Sequence, residues 1–258
     1  MISVCMATHN GEKYIKEQVD SILKQLDADD EIVISDDGSK DDTLSILSNY
    51  NDARIKLFSQ HSPSGLLAYE YATRNFENAL RHAKGNFIFL ADQDDVWTDD
   101  KVSVCMSYLK EYDYVVSDAY VTDAKLNVIS ETRFIKEEKV HFNKYLAVVL
   151  STPYQGSCAA FRRCVLEKAM PFPKGIQSHD RWIGNVAAFY FKYRIIPDKL
   201  IYYRRHEGVT SSALNGKSKK RSAGIVKTII YKLRYVFGLI SIINRKDEHR
   251  TKDKLSAE

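Results

Sequence analysis

The sequence predicts an α/β fold with a mostly parallel central sheet flanked by helices, followed by a C-terminal amphipathic helix. Three observations carry that prediction. Short apolar runs alternate with helical patterns through the first half, two of those runs end in acidic turns, and apolar residues at helical spacing return after a basic stretch near the end. Strands alternating with helical patterns argue for βαβ units and parallel pairing.

The first run, over 2–7, is bounded by the turn-forming His9-Asn10-Gly11. Ile15, Val19, Ile22, Leu23 and Leu26 share one face of a helix predicted over 14–26. A second strand over 31–35 ends in Asp36-Asp37-Gly38-Ser39, and Asp41 or Asp42 can cap the next helix, carried by Leu44, Leu47 and Tyr50. A third strand is predicted over 54–58, then a helix over 68–83 stopped by Lys84-Gly85. The fourth strand, over 86–91, is strongly apolar and runs into Asp92-Gln93-Asp94-Asp95. The second half is less regular. Strands are predicted over 114–117, 156–161 and 200–204, and helices over 142–150 and 182–191. These divide the chain into a domain over 1–215, with halves 1–118 and 119–215, and a basic amphipathic tail over 216–258.

A chain of 258 residues can bury a real core. Its formal charge of +4 is too small to argue for nucleic acid, and no nucleic-acid partner is expected. Cys5, Cys105, Cys158 and Cys164 form no C-x-x-C pair and no zinc spacing, which points to reduced thiols and a cytoplasmic setting. The opening run has no charged region ahead of a long apolar one, so no secretory signal is expected.

The chemistry lies in where the carboxylates fall. Open α/β sheets bind ligands outside the carboxyl ends of their strands. Asp36 and Asp37 follow the second strand, and Asp92, Asp94 and Asp95 follow the fourth, so both clusters face one edge. Each can also be a plain Asp-rich turn. Three carboxylates in four residues repel one another unless a cation or donors sit among them. An Asp-x-Asp turn offers hard oxygen ligands to Mn²⁺ or Mg²⁺, which usually share their shell with substrate phosphates.

The stretches Ser3-Val4-Cys5-Met6-Ala7-Thr8-His9-Asn10-Gly11, Asp36-Asp37-Gly38-Ser39-Lys40-Asp41-Asp42-Thr43 and Phe89-Leu90-Ala91-Asp92-Gln93-Asp94-Asp95-Val96-Trp97 together resemble the family 2 glycosyltransferases of GT-A fold. The Asp-Gln-Asp-Asp-x-Trp form is similar to the rhamnosyltransferase-like branch. The resemblance extends to His179-Asp180-Arg181-Trp182 and Tyr203-Arg204-Arg205-His206, covering about residues 1 to 210.

What it implies is an inverting, metal-dependent transfer of a sugar from a nucleotide-diphosphate sugar, dTDP-rhamnose or a UDP-hexose. The acceptor would be a glycan or lipid-linked glycan in cell-surface polysaccharide or lipopolysaccharide synthesis. Thr8, Asp36 and Asp37 would contact the nucleotide, Asp92 would lie near the ribose and metal, and Asp94 would be the principal ligand of Mn²⁺ or Mg²⁺. His206 would be a further metal or diphosphate contact, or else a solvated surface histidine. Asp180 matches the general base, its other reading being a cap for the helix near Trp182. His179 stands where many relatives have Glu, and the segment from Gly65 to Asn75-Phe76 is longer than is usual in the branch. Trp97 and Trp182 could stack on an acceptor sugar or lie in the core, and Asp95 could cap a helix near Lys101.

Beyond a basic cluster at 217–221, Ile225, Ile229, Leu233, Val236, Phe237, Ile240 and Ile243 recur at helical spacing. A basic amphipathic helix over 217–245 suits a membrane interface, which would place the protein peripherally at the inner face of the cell membrane. The same stripe could instead pack on the domain or on a second subunit. The sequence leaves the oligomeric state open. Two other functions compete. A non-catalytic protein of the same fold would bind a membrane or partner enzyme, and it need not keep Asp94 or Asp180. A sugar-nucleotide pyrophosphorylase needs a Gly-rich basic loop after the first strand, where this chain has only Thr8-His9-Asn10-Gly11-Glu12-Lys13.

Overall fold

The computed structural model describes residues 1–134, 155–206 and 225–243, with side chains from 232 onward in the last segment. The helix expected over 142–150, the basic cluster at 217–221 and Arg245 lie outside the described residues.

Strands β1 (Ile2–Thr8), β2 (Glu31–Asp36), β3 (Ile55–Ser59) and β4 (Phe87–Asp92) lie parallel in the order β3-β2-β1-β4. Helices α1 (Ile15–Leu23), α2 (Thr43–Ser48) and α3 (Ala68–His82) connect them. The strands read as near-continuous apolar runs because helices cover both faces of a parallel sheet. Val4, Cys5, Met6, Ile32, Val33 and Ile34 are all fully buried. In α1 the buried residues include Ile15, Val19 and Ile22, the face the spacing predicts. Asp41, not Asp42, satisfies the start of α2: its carboxylate accepts the Thr43 N–H at 3.1 Å and the Thr43 hydroxyl at 2.6 Å.

Gly85 ends the α3 connection for a packing reason. A Cβ there would stand 2.5 Å from the Ser3 amide nitrogen and 2.7 Å from the Ile2 carbonyl carbon. Backbone cannot give way as a side-chain tip can. Gly85→Ala should therefore cost about 2–3 kcal/mol, read as a lower urea midpoint at unchanged slope.

Beyond β4 the sheet becomes mixed. A 3₁₀ turn (Gly156–Cys158) leads into β8 (Ala159–Arg162), antiparallel to both β4 and β6 (Tyr114–Thr122). β9 (Tyr193–Arg204) runs parallel to β6, while β5 (Val96–Trp97) pairs antiparallel with β9 and β7 (Val128–Ser130) with β6. The remaining helices among the described residues are α4 (Lys101–Tyr108), α5 (Arg163–Ala169), α6 (His179–Tyr190) and α7 (Ile225–Ser241).

Three expectations change. β9 has 12 residues where a strand over only 200–204 was expected, because Pro197 breaks the pattern. The register against β6 jumps from Val116↔Ile195 to Asp118↔Lys199 around that proline, so it sits at an irregularity that spares the ladder. A division at 118 would cut through β6, whose strand joins both halves into one sheet. Nor does α7 stand off as a tail: Tyr235, Leu239 and Ile242 are buried, and Gly238 lies so close to Trp182 that a Cβ would come within 2.9 Å of its ring.

Candidate active site

The carboxyl ends of β1, β2 and β4 meet at one edge. Thr8 is in register with Asp36, and Ala7 with Asp92. Beside them opens a cleft of about 570 Å³ whose lining includes Thr8, Asp37, Asn75, Asp92, Asp94 and Tyr203. Pockets of this size suit a small-molecule ligand.

The two carboxylates after β2 have different duties. Asp36 is 3 % exposed and does not line the cleft. It accepts the Thr8 hydroxyl at 2.9 Å, the Ser39 N–H at 2.9 Å and the Ser39 hydroxyl at 2.5 Å. Asp36 thus braces the turn with three accepted hydrogen bonds, while Asp37 lines the cleft. Asp37 accepts the Ser62 N–H at 2.8 Å, which ties the far wall to the turn. Thr8 lines the cleft but points its hydroxyl at Asp36, so its contribution there is mainly shape and backbone.

After β4 the three carboxylates separate further. Asp94 lines the cleft, and its Oδ2 lies 2.9 Å from His206 Nε2, a pairing across 112 residues of chain. The Tyr14 ring packs on His206 with centroids 4.8 Å apart. Burial, then Asp94, then Asp180 push the Asp92 carboxyl up to about 7, against a hydrogen bond from Ser157. Asp95 is fully buried and its Oδ1 accepts the Arg204 N–H at 3.0 Å. It does not cap α4, whose N-cap position is Asp100.

Arg204 is the member of this site that sequence reasoning passed over. Its side chain is almost wholly buried, donating to the Asp94 carbonyl at 2.9 Å, to the Ala124 carbonyl at 2.8 Å and to the Glu17 carboxylate, with its guanidinium 4.4 Å from the Tyr14 ring centroid. Arg204 thus clamps the Asp94 loop to β9. The only signal for it was its place beside His206 in the Tyr203-Arg204-Arg205-His206 motif. Gln93 was missed too: it exchanges hydrogen bonds with both backbone groups of His9, at 2.9 and 3.1 Å, and so joins the β1 and β4 loops.

Asp180 comes from the other side of the site. Helix α6 begins at His179 with Ser178 at its N-cap position, so Asp180 lies inside the first turn rather than capping a helix at Trp182. The Ser178 hydroxyl and the Arg181 N–H both donate to its Oδ1. Its effect on Asp92 places it within electrostatic reach of the acidic edge. Thr73 of α3 anchors this turn, donating to the Gln177 carbonyl at 2.9 Å and accepting the His179 N–H at 3.1 Å. His179 stacks on the cleft-lining Phe76 with centroids 3.9 Å apart, and burial lowers its pKa. A neutral imidazole therefore stands beside Asp180.

Neither tryptophan can serve an acceptor. Trp97 is 2 % exposed and Trp182 is 0 % exposed. Trp97 packs against Phe89 and the Lys101 ammonium, and the Trp182 indole N–H donates to the Ala169 carbonyl at 3.0 Å. Both are core residues, and a buried ring has no face left for a sugar.

Among the described residues no group of three or more His, Cys, Asp or Glu is placed to hold a metal. The Asp94–His206 pair nevertheless supplies one carboxylate and one imidazole nitrogen at an edge where burial, and after it the neighbouring carboxylates, raises the Asp92 pKa. That donor set fits a Mn²⁺ or Mg²⁺ ion that takes its other ligands from a diphosphate and water.

The raised Asp92 pKa has a sign that can be checked. The folded state holds this proton more tightly than the unfolded chain, so its contribution to stability is lost as pH rises through about 7. Asp92→Asn should raise the melting temperature of the ligand-free protein at about pH 8 and leave it nearly unchanged at about pH 4. Parallel thermal melts of the two proteins across pH measure the difference.

A sheet-edge cleft rimmed by acidic loops at the carboxyl ends of the strands lies where open α/β sheets bind their ligands. Residues 3–169 match the family described as "Glycosyl transferase family 2", and the chain belongs to that family. It is 31 % identical over 147 residues to the UDP-Glc:alpha-D-GlcNAc-diphosphoundecaprenol beta-1,3-glucosyltransferase WfgD of Escherichia coli, covering 57 % of this chain and 55 % of that one. It is 37 % identical over 100 residues to the dTDP-rhamnosyl transferase RfbG of Shigella flexneri, covering 38 % and 34 %. The matches thus span about half or less of these relatives' own length. The fold is similar to S. aureus TarS 1-349 in complex with UDP-GlcNAc, at TM-score 0.61 and 22 % identity over 81 % of this chain and 59 % of that one. It is also similar to the mannosyltransferase PcManGT of Pyrobaculum calidifontis in complex with GDP-Man and Mn²⁺, at TM-score 0.54 and 20 % identity over 76 % and 55 %. The architecture is the GT-A glycosyltransferase fold.

Proposed function

We propose that this chain is an inverting glycosyltransferase that moves a sugar from a nucleotide-diphosphate sugar to a glycan or lipid-linked glycan in cell-surface polysaccharide synthesis. The observation that carries the reading is the pair Asp92 and Asp94 lining one cleft at the end of β4, with His206 bonded to Asp94 from just past β9 and Asp180 of α6 acting on Asp92 from outside the lining. The named relatives act with UDP-Glc and dTDP-rhamnosyl donors, which supports dTDP-rhamnose or a UDP-hexose here.

In this reading Asp37 and the backbone around Thr8 hold the nucleoside, while Asp94 and His206 face the diphosphate. Mn²⁺ or Mg²⁺, when bound, would neutralise charge on the departing diphosphate. Asp180 takes the proton from the acceptor hydroxyl as its oxygen attacks the anomeric carbon. The bond from that carbon to the diphosphate oxygen breaks, and the nucleoside diphosphate leaves from the opposite face. His179, kept neutral by burial, puts no cation beside Asp180 that would lower the basicity of its carboxylate. Arg204 keeps the Asp94 carboxylate aimed. The protein would work peripherally at the inner face of the cell membrane.

Thermal stability against dTDP-, UDP- and GDP-sugars, with and without Mn²⁺, tests the reading by mass action. A metal-dependent rise with one nucleotide class is expected. No rise with any of them would favour the non-catalytic alternative, a GT-A-fold protein that binds a membrane or a partner enzyme.

A further inference from the structure

Over residues 232–243, the face of α7 turned away from the domain is apolar. Phe237 is 65 % exposed, Ile240 55 % and Leu233 45 %. At about 100° per residue these three share one side of the helix. The helix is nevertheless firmly docked by its other side: Tyr235, Leu239 and Ile242 are buried, Gly238 lies against Trp182, and the Tyr190 hydroxyl donates to the Leu239 carbonyl at 2.6 Å. A helix with one satisfied apolar face and a second left open calls for a second partner.

Charge identifies that partner. Residues 208–246 contain nine Lys and Arg and no Asp or Glu. The rest of the chain has 29 Lys and Arg against 34 Asp and Glu, so this one segment turns a net negative protein into one of +4. On α7 itself Lys232 and Arg234 stand on either side of Leu233, flanking the apolar stripe. An apolar stripe bordered by cations matches the level of headgroups and upper acyl chains in a bilayer with anionic lipid. A second copy of this chain would bring like-charged segments together and be repelled. No helix among the described residues is long and apolar enough to cross a membrane.

We propose that the outward face of α7, formed by Leu233, Phe237 and Ile240 with Lys232 and Arg234 at its borders, docks on an anionic lipid bilayer. The inward face links that surface to the site. The Tyr235 hydroxyl lies 3.5 Å from the Ser178 carbonyl, and the Arg181 guanidinium sits 5.9 Å from the Tyr235 ring centroid. Ser178 and Arg181 flank Asp180, so a bilayer under α7 is mechanically joined to the first turn of α6, where a lipid-linked acceptor would be met. The purpose of the surface rests on the transferase reading; its binding to lipid needs neither donor nor acceptor.

The test is sedimentation of the full chain with vesicles of phosphatidylglycerol and phosphatidylcholine, compared with phosphatidylcholine alone. Binding to the anionic vesicles is expected, falling about tenfold or more without anionic lipid or at about 1 M salt, where the Debye length is about 3 Å. The double variant Phe237→Ser, Ile240→Ser should bind anionic vesicles at least about tenfold more weakly, with unchanged elution volume and unchanged nucleotide-dependent melting. Equal binding by both proteins, or no binding to anionic vesicles, would overturn the proposal. A vesicle-free dimer lost in the double variant would also overturn it and make the face an interface between copies. Intact vesicle binding with no response to any nucleotide would sink only the transferase reading.

Discussion

Asp180→Asn is expected to lower kcat by about 10²–10⁴-fold while leaving nucleotide-sugar affinity nearly unchanged. The substitution keeps shape and most hydrogen bonding but removes the group that accepts the hydroxyl proton. The affinity half of the prediction follows from position. Asp180 sits on α6, apart from the β4 loop that carries Asp92 and Asp94, and does not line the cleft. Initial rates of transfer and calorimetric titration of the donor separate the two effects. Activity within tenfold of wild type would remove Asp180 from the base role. A loss of donor affinity in step with activity would make it a binding residue instead.

Asp94→Ala should abolish the Mn²⁺-dependent part of nucleotide stabilisation and lower activity by at least about 10²-fold. A ligand at about 100 times its Kd contributes about 2.7 kcal/mol. For a domain of this size that corresponds to a rise in melting temperature of about 5–10 °C, most of which the variant should lose. His206→Ala should weaken the metal effect less, because a carboxylate brings charge to a hard cation and a neutral imidazole does not. If Asp94→Ala keeps the full metal-dependent shift, the ion is held elsewhere and the Asp94–His206 pair is only a hydrogen bond.

The two predictions draw on residues of different legibility. Asp94 could be found from its loop alone, since an apolar strand ending in Asp92-Gln93-Asp94-Asp95 is a local pattern with a local consequence. Asp180 could be named only by resemblance, because nothing in His179-Asp180-Arg181-Trp182 taken alone separates a base from a helix-start residue. The structure moved the start of α6 ahead of it and so changed what its backbone does. Arg204 was harder still. A buried arginine is unusual, and only the surrounding Tyr14, Glu17 and Asp94 show why it can be buried.

The sequence by itself determined the βα units from β1 to β4, the helix faces that cover them and the edge where the acidic loops meet. Those features follow from periodicity and turn chemistry within a dozen or so residues, and strand direction then places the loops together. Only the tertiary structure decided that Asp37 rather than Asp36 faces the cleft, that Trp97 and Trp182 belong to the core, and that His206 reaches Asp94 across 112 residues. It also divided the apolar stripe of α7 into a docked side and an open one. Each of these outcomes depends on which distant surface arrives to take a hydrogen bond or cover a ring. Spacing along the chain gives the direction of a side chain on its own element; packing between elements decides what it meets.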